Sequence, residues 1–238
     1  FVGASDHIVA ASILGEVAIV SYVRGNIAAR QGHLRSALTY FDEAIEIDPT
    51  HVRARLNRTS IHMANENAQA ALDDANVLLE LAPGLALAKL RKAEANMMLS
   101  NWEEAKDDLE QIVEDAPHHH HALTQLASCF MAMDRPEKAE APLNEALRLA
   151  PEHTEAWHQR GLLYLDWAQE ESALNDFEAA VRCDGNHLGA RLRIAAIHHK
   201  AERFSEALGA WNGVLAIEPE HTVARRRREE CEMAIATM

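Results

Sequence analysis

Residues 154–187 read TEAWHQRGLLYLDWAQEESALNDFEAAVRCDGNH, and the small Gly161 and Ala173 stand where two helices of one hairpin must touch, with the bulky Phe177 one turn beyond. The stretch is one of a series. Pro49, Pro83, Pro117, Pro151 and Pro219 share a register of 34 residues, and Gly185 fills the midpoint of the single doubled gap. A strict period of this length is the signature of a solenoid, in which a helix pair too small to bury its own apolar face takes its core from its neighbours.

Placing each Pro, or Gly185, at the thirty-second position gives six units without insertion: 18–51, 52–85, 86–119, 120–153, 154–187 and 188–221. Small residues recur on the first helix (Gly25, Thr59, Ala93, Ala127, Gly161, Ala195) and on the second (Ala37, Ala71, Ala105, Ala139, Ala173, Ala207). Bulkier side chains there would force the helices apart. Phe41, Leu109, Leu143, Phe177 and Trp211 fill the complementary second-helix site, with Ala75 the exception. Breakers such as Gln31-Gly32-His33 and Asp48-Pro49-Thr50 divide helix from helix and unit from unit. Pro142, following Pro136, predicts a kinked or delayed second helix in the fourth unit. Residues 222–238 continue the first-helix register as a C-terminal capping helix, and residues 1–17 are expected to be an N-terminal capping segment with a short helix around Ile8 to Leu14.

The formal charge of −14 keeps such a chain soluble and repels a phosphate backbone, which argues against nucleic acid as partner. The one basic run, Arg225 to Arg228, is followed by Glu229, Glu230 and Glu232 at pairing distance along a helix, and reads as a solvated face. Cys129, Cys183 and Cys231 are odd in number and widely spaced, so no disulfide framework is expected. That fits a cytoplasmic location, or a periplasmic or exported one if an upstream leader was removed, since the chain opens on Phe1 rather than Met. No apolar stretch has the length of a membrane span.

Trp157, Arg160, Gly161, Tyr164, Ala173 and Phe177 resemble the pattern W-x₂-L-G-x₂-Y…A-x₃-F…P of the tetratricopeptide repeat (TPR), departing from it at Arg160 and at Gly185. The resemblance extends over all six units. It implies an all-α, right-handed superhelical solenoid of antiparallel helix pairs, whose first helices line a concave groove for an extended peptide or partner helix. On this register the groove-facing set is Tyr22, Asn26, Leu56, Asn57, Met63, Leu90, Arg91, Met97, Thr124, Gln125, Ser128, Met131, His158, Gln159, Leu162, Leu192 and Arg193. Met63, Met97 and Met131 recur at one site and suit an adaptable binding surface or a packing role beneath the second helices. Asn26, Asn57 and Arg91 are similar to three of the five clamp residues of the co-chaperones that grip carboxylate-ending tails, with Tyr22 and Leu87 in place of the two lysines. Losing both ammonium groups removes most of the attraction for an acidic tail. What remains is a groove that hydrogen-bonds an extended backbone through Asn26 and Asn57 and takes apolar side chains on its Leu and Met patches.

Other candidates yield to simpler readings. Adjacent residues of a helix point about 100° apart, so His118, His119, His120 and His121 cannot converge on one ion; at most two contribute, with His153 or His158 as further ligands. His51, His119, His153, His187 and His221 all end their units and read as turn residues, so no metal and no cofactor are expected. The second helix of the third unit, 102–115, is crowded with carboxylates and predicts an acidic convex patch. The Asn57-Arg58-Thr59 sequon falls within a helix. There is no phosphate-cradling glycine loop, nucleophile elbow or HExxH, so no enzyme is expected. The expected function is a non-catalytic protein-interaction module. Its alternatives are an assembly scaffold that self-associates through its terminal helices or uses its convex face, and a substrate-positioning part of a larger enzyme or redox protein.

Overall fold

The computed structural model describes the backbone of residues 2–237 and the side chains of residues 15–237. Among them there is no strand. The helices are α1 (Val2–Arg30), α2 (Leu34–Ile47), α3 (Val52–Ala64), α4 (Ala68–Leu81), α5 (Ala86–Met98), α6 (Trp102–Asp115), α7 (His120–Ala132), α8 (Glu140–Leu149), α9 (Thr154–Asp166), α10 (Glu170–Cys183), α11 (Leu188–Lys200), α12 (Phe204–Ile217) and α13 (Thr222–Thr237). Odd-numbered helices up to α11 are the first of each repeat and even-numbered ones the second. They form two compact units, residues 1–114 and residues 115–238.

The N-terminal expectation needs correction. Residues 2–17 are not a separate capping helix but continue α1 without a break. No proline intervenes, and Gly15 alone costs a helix only about 1 kcal/mol. The side chains of Ile8 to Leu14 lie outside the described residues. At the other end α13 behaves as a cap, burying Ala224 and Cys231 against Trp211 and Val214 of α12.

Within a repeat, the eighth and twenty-fourth positions share one volume. Methyl groups placed on Gly25 and Gly161 would lie 2.5 and 2.7 Å from the rings of Phe41 and Phe177. Thr59 with Ala75, Ala93 with Leu109 and Ala127 with Leu143 divide the equivalent space between two middling side chains, all fully buried. Opposite Ala75 stands Thr59, the largest residue at its position, which makes up part of the lost volume.

The turn between the two helices of each repeat is also constant. Gly32, Glu66, Ser100, Asp134, Ala168 and Glu202 all take a left-handed backbone, with φ from 55° to 77°. The next N–H then bonds back to the closing helix, as from Asn67 to His62 O at 2.8 Å and from Gln169 to Tyr164 O at 2.8 Å. This double closure satisfies carbonyls that a helix end leaves open.

The joints between repeats explain the terminal histidines. Nδ1 of His51, His119, His187 and His221 accepts the N–H of Ala54, Ala122, Ala190 and Ala224 at 3.0–3.2 Å, so each imidazole caps the next first helix. A second bond ties the same joint. Trp157 Nε1 donates to Pro151 O at 2.8 Å, and arginines do the equivalent elsewhere: Arg55 to Pro49 O at 3.1 Å, Arg191 to Gly185 O at 2.8 Å and Arg225 to Pro219 O at 2.7 Å.

Arg160, where the repeat pattern asks for Leu, is held by a buried carboxylate. Its Nε and Nη2 donate to Asp176 at 2.7 and 2.8 Å while the guanidinium lies over the Trp157 ring, 4.9 Å from its centroid. Arg58 with Asp74 and Lys92 with Asp108 repeat the arrangement at 2.8 and 2.9 Å, each pair spanning first and second helix. Arg55 adds a second cation on Asp74 at 3.0 Å. Asp176 is 4% exposed and has Arg160 as its cation, so removing Arg160 leaves a buried charge, at a cost of about 3–5 kcal/mol, whereas Asp74, 3% exposed, keeps one arginine if the other is removed. The fourth repeat has Leu126 and Pro142 at these positions. There a 3₁₀ turn over Pro136–Lys138 precedes α8, which starts late and carries Pro142 in its first turn, where its missing N–H has no intrahelical partner to lose.

Candidate functional site

In the first unit the face formed by α1, α3 and α5 carries Tyr22, Asn26, Leu56, Asn57, Met63, Arg91 and Met97, all half-buried. Asn57 Nδ2 donates to Asn26 Oδ1 at 2.6 Å, so the two asparagines join neighbouring first helices. That bond does not use the amide N–H groups of Asn26 or the carbonyl of Asn57, which are the donor and acceptor set that pairs with an extended peptide backbone. Arg91 is less available. Its Nη1 donates to Glu94 Oε2 at 2.6 Å on the same helix, and this internal carboxylate already occupies the cation expected to grip a ligand.

Two expected groove residues are withdrawn from solvent: Leu90 is 8% exposed and Thr124 2%. The fifth position of a repeat turns toward the joint, as the ring of Tyr22 does against His51 at 5.0 Å and that of His158 against His187 at 4.8 Å. Thr124 instead closes on its own helix, donating to His120 O at 2.9 Å. Met63, Met97 and Met131 are half-buried, so each contributes one edge to packing and one to the surface.

In the second unit Gln125, Ser128, Met131, His158, Gln159, Leu162 and Leu192 are half-buried and Arg193 is exposed. Two depressions open on this face. One, of about 320 Å³, is lined by Leu165, Ala168, Glu170, Arg193, Ala196, Ile197 and Lys200. The other, of about 420 Å³, is lined by Ala196, His199, Lys200, Trp211, Val223 and Arg227. Lys200 is paired with Glu170, and Arg227 with Glu230 at 2.8 Å. Arg193 has no hydrogen-bond or ion-pair partner among the described residues, which makes it the open cation of the face. Ala196, His199 and Lys200 were not singled out from the sequence, although they lie one and two turns beyond Leu192 and Arg193 on the same face, and Arg227, at the equivalent position of α13, was read only as part of a solvated basic run.

Elsewhere the polar clusters are occupied. The basic run of α13 pairs Arg226 and Arg227 with Glu230 and Arg228 with Glu232. On α6, Lys106 bridges Glu103, Asp107 and Glu110, and Asp108 is taken by Lys92, while Glu104 and Glu114 remain exposed. Thr59 is fully buried and Asn57 is bonded, so the sequon does not present an acceptor. Burial pushes the Cys129 thiol up to about 11, which keeps it protonated and inert, and all three cysteines are free. Among the described residues no helix is long and apolar enough to cross a membrane.

Recurrent helix hairpins with shared turns and joints define a helical-repeat solenoid protein. Within that class the chain belongs to the tetratricopeptide-repeat family, whose models match residues 22–86, 96–160 and 154–187. No curated protein sequence matches it. Among solved structures it is similar to a tetratricopeptide repeat protein from Parabacteroides merdae, at a TM-score of 0.75 and 19% identity over 90% of this chain and 84% of that one. It is also similar to MamA from Desulfovibrio magneticus RS-1 (TM-score 0.65, 19% identity, 73% of this chain and 98% of that one). A third similar structure is YrrB, described as a TPR protein with an unusual peptide-binding site (TM-score 0.55, 22% identity, 79% and 97%). At these identities the likeness is one of fold.

Proposed function

We propose that the protein is a non-catalytic interaction module that binds a segment of a partner protein on its first-helix face, and that the face of α9, α11 and α13 is the principal site. The observation that carries this reading is the open Arg193 in a depression lined by the apolar Leu165, Ala196 and Ile197, with a second depression, lined by Ala196, Trp211 and Val223, adjoining it. An apolar side chain of the ligand fills a depression while its backbone carbonyl or a carboxylate accepts from Arg193. In the first unit Asn26 and Asn57 offer a second point of backbone recognition, and the fold that YrrB uses for a peptide is the same one.

The test is selection of binders from a random peptide library on the intact chain, followed by titration of the selected peptide. Arg193→Ala and Ala196→Glu should each weaken it at least about tenfold, the scale of one interface anchor. Glu104→Ala with Glu114→Ala, on α6, should leave it unchanged; the opposite pattern would place binding on the convex side.

A second reading, assembly through a second copy, rests on α1. Val17, Ile19, Val20, Val23 and Ile27 are 43–54% exposed, so a helix that buries one face leaves an apolar one uncovered. Two such helices crossing antiparallel about Val20 set Glu16 against Arg24 and Val17 against Val23, a self-complementary register. Light scattering should give a dimer mass that Val20→Glu reduces to the monomer; a monomeric parent chain removes this reading.

A further inference from the structure

Glu155 and His158 lie three apart near the start of α9, on one face of the helix, and His187 caps α11 beside them. One donor atom from each of the three falls within 4.8 Å of the others. Glu155 Oε1 is 3.9 Å from His158 Nδ1, and Oε2 is 3.8 Å from His187 Nε2. The carboxylate is steadied by Gln159 Nε2, which donates to Oε1 at 2.6 Å. Both ring nitrogens of His158 are buried and neither has a hydrogen-bond partner. An imidazole in that condition is an unused ligand, since buried polar atoms are otherwise paired. Gly189 leaves the space: a methyl group there would stand 3.2 Å from His158 Nε2.

We propose that Glu155, His158 and His187 bind a zinc ion. Two imidazoles and a carboxylate are a three-ligand zinc set, with the fourth position left to water or to a ligand on the first-helix face. Nitrogen donors favour a first-row transition ion over calcium or magnesium, which take oxygen. Tetrahedral ligation at about 2.1 Å brings donors to about 3.4 Å from one another, so the side chains close by on the order of 1 Å on loading. In the sequence His187 reads as one of the joint turn residues and His158 only as a further ligand for the His118–His121 run, so no metal was expected. Instead His120 and His121 face His153, at 4.8 and 6.0 Å between ring centroids.

His187 gives the site a second property. Its Nδ1 accepts the Ala190 N–H at 3.0 Å, so in the neutral ring the proton sits on Nε2. Ligation through Nε2 moves that proton to Nδ1, and Ala190 loses its acceptor. Zinc and the α11 cap therefore compete for one imidazole.

The experiment is calorimetric titration of zinc chloride into the chelator-stripped full chain at neutral pH, with the Ala190 amide followed by NMR. One zinc should bind per chain, and His158→Ala and Glu155→Gln should each weaken it at least tenfold while His120→Ala leaves it unchanged. Gly189→Ala keeps every donor and favours the helix, and should weaken binding by closing the space at His158. The Ala190 amide should lose exchange protection on loading. Absence of a stoichiometric site, a site that survives His158→Ala, or one abolished by His120→Ala overturns the assignment.

Discussion

At the scale of residues, side chains of the two helices trade volume in pairs. Gly161 and Phe177 are one such pair, and the same space is filled by Ala93 and Leu109 in the third repeat. Gly161→Ala should therefore destabilise the fold by about 1–3 kcal/mol, because the ring has no room to retreat within a close-packed interior. Adding Phe177→Leu rebuilds the Ala/Leu solution, so the double variant should lose less than the two single losses combined. Urea denaturation of all four proteins reads the coupling, and strict additivity would show that ring and methyl do not meet. The alternation of Gly and Ala was legible in the sequence, and so was Arg160 as a departure. The partner of Arg160 was not, because a side chain with several rotatable bonds can reach more than one carboxylate, and Asp176 is chosen by proximity across two helices.

At the scale of elements, the helix ends do most to set each hairpin. Five of the six left-handed turn positions are occupied by residues with a side chain, and Ala168 has neither a polar group nor a hydrogen bond of its own side chain to offset the strain. Left-handed backbone costs an L-residue roughly 1–2 kcal/mol, of which glycine's greater unfolded freedom takes back about half. Ala168→Gly should accordingly raise stability by about 0.5–1 kcal/mol. Ala173→Gly, inside α10, should lower it by about 1 kcal/mol or more. Thermal or urea midpoints that move the same way for both would contradict the turn assignment. The breakers at these turns could be located from the sequence, since a polar stretch interrupts an apolar period. Their uniform left-handed geometry could not, because only Gly32 carries the residue that announces it. The joint histidines were read as turn residues, and all but His153 prove to be caps, a role fixed by which nitrogen faces the Ala N–H.

At the scale of the whole molecule, pH acts through histidine. Burial holds His62, His153 and His198 below the ordinary value of 6.5, with His120 and His121 adding to the effect at His153. The unfolded chain thus takes up protons near 6.5 that the folded chain accepts only at lower pH. Their contribution to stability is complete above 6.5 and is lost as pH falls through that value toward the folded pKa values. Glu155 adds a further loss below 4.5: burial raises its carboxyl, but the neighbouring His158 ring and Gln159 amide lower it by more. The urea midpoint should be lower at pH 5.5 than at pH 7.5, chosen about one unit either side of the histidine value; an equal or higher midpoint at pH 5.5 contradicts this. The sequence by itself determined the period, the helix pairs, the small and large positions of the core and the capping end, because each repeat meets only its neighbours and a 34-residue beat carries that contact pattern in one dimension. Only the tertiary structure decided what the polar side chains do. It joined Asn26 to Asn57, closed Arg91 on Glu94, left Arg193 open and brought Glu155, His158 and His187 together. The reason is that such pairings depend on distances of a few ångströms between separate helices, and a repeat pattern sets the place of a side chain without setting its partner.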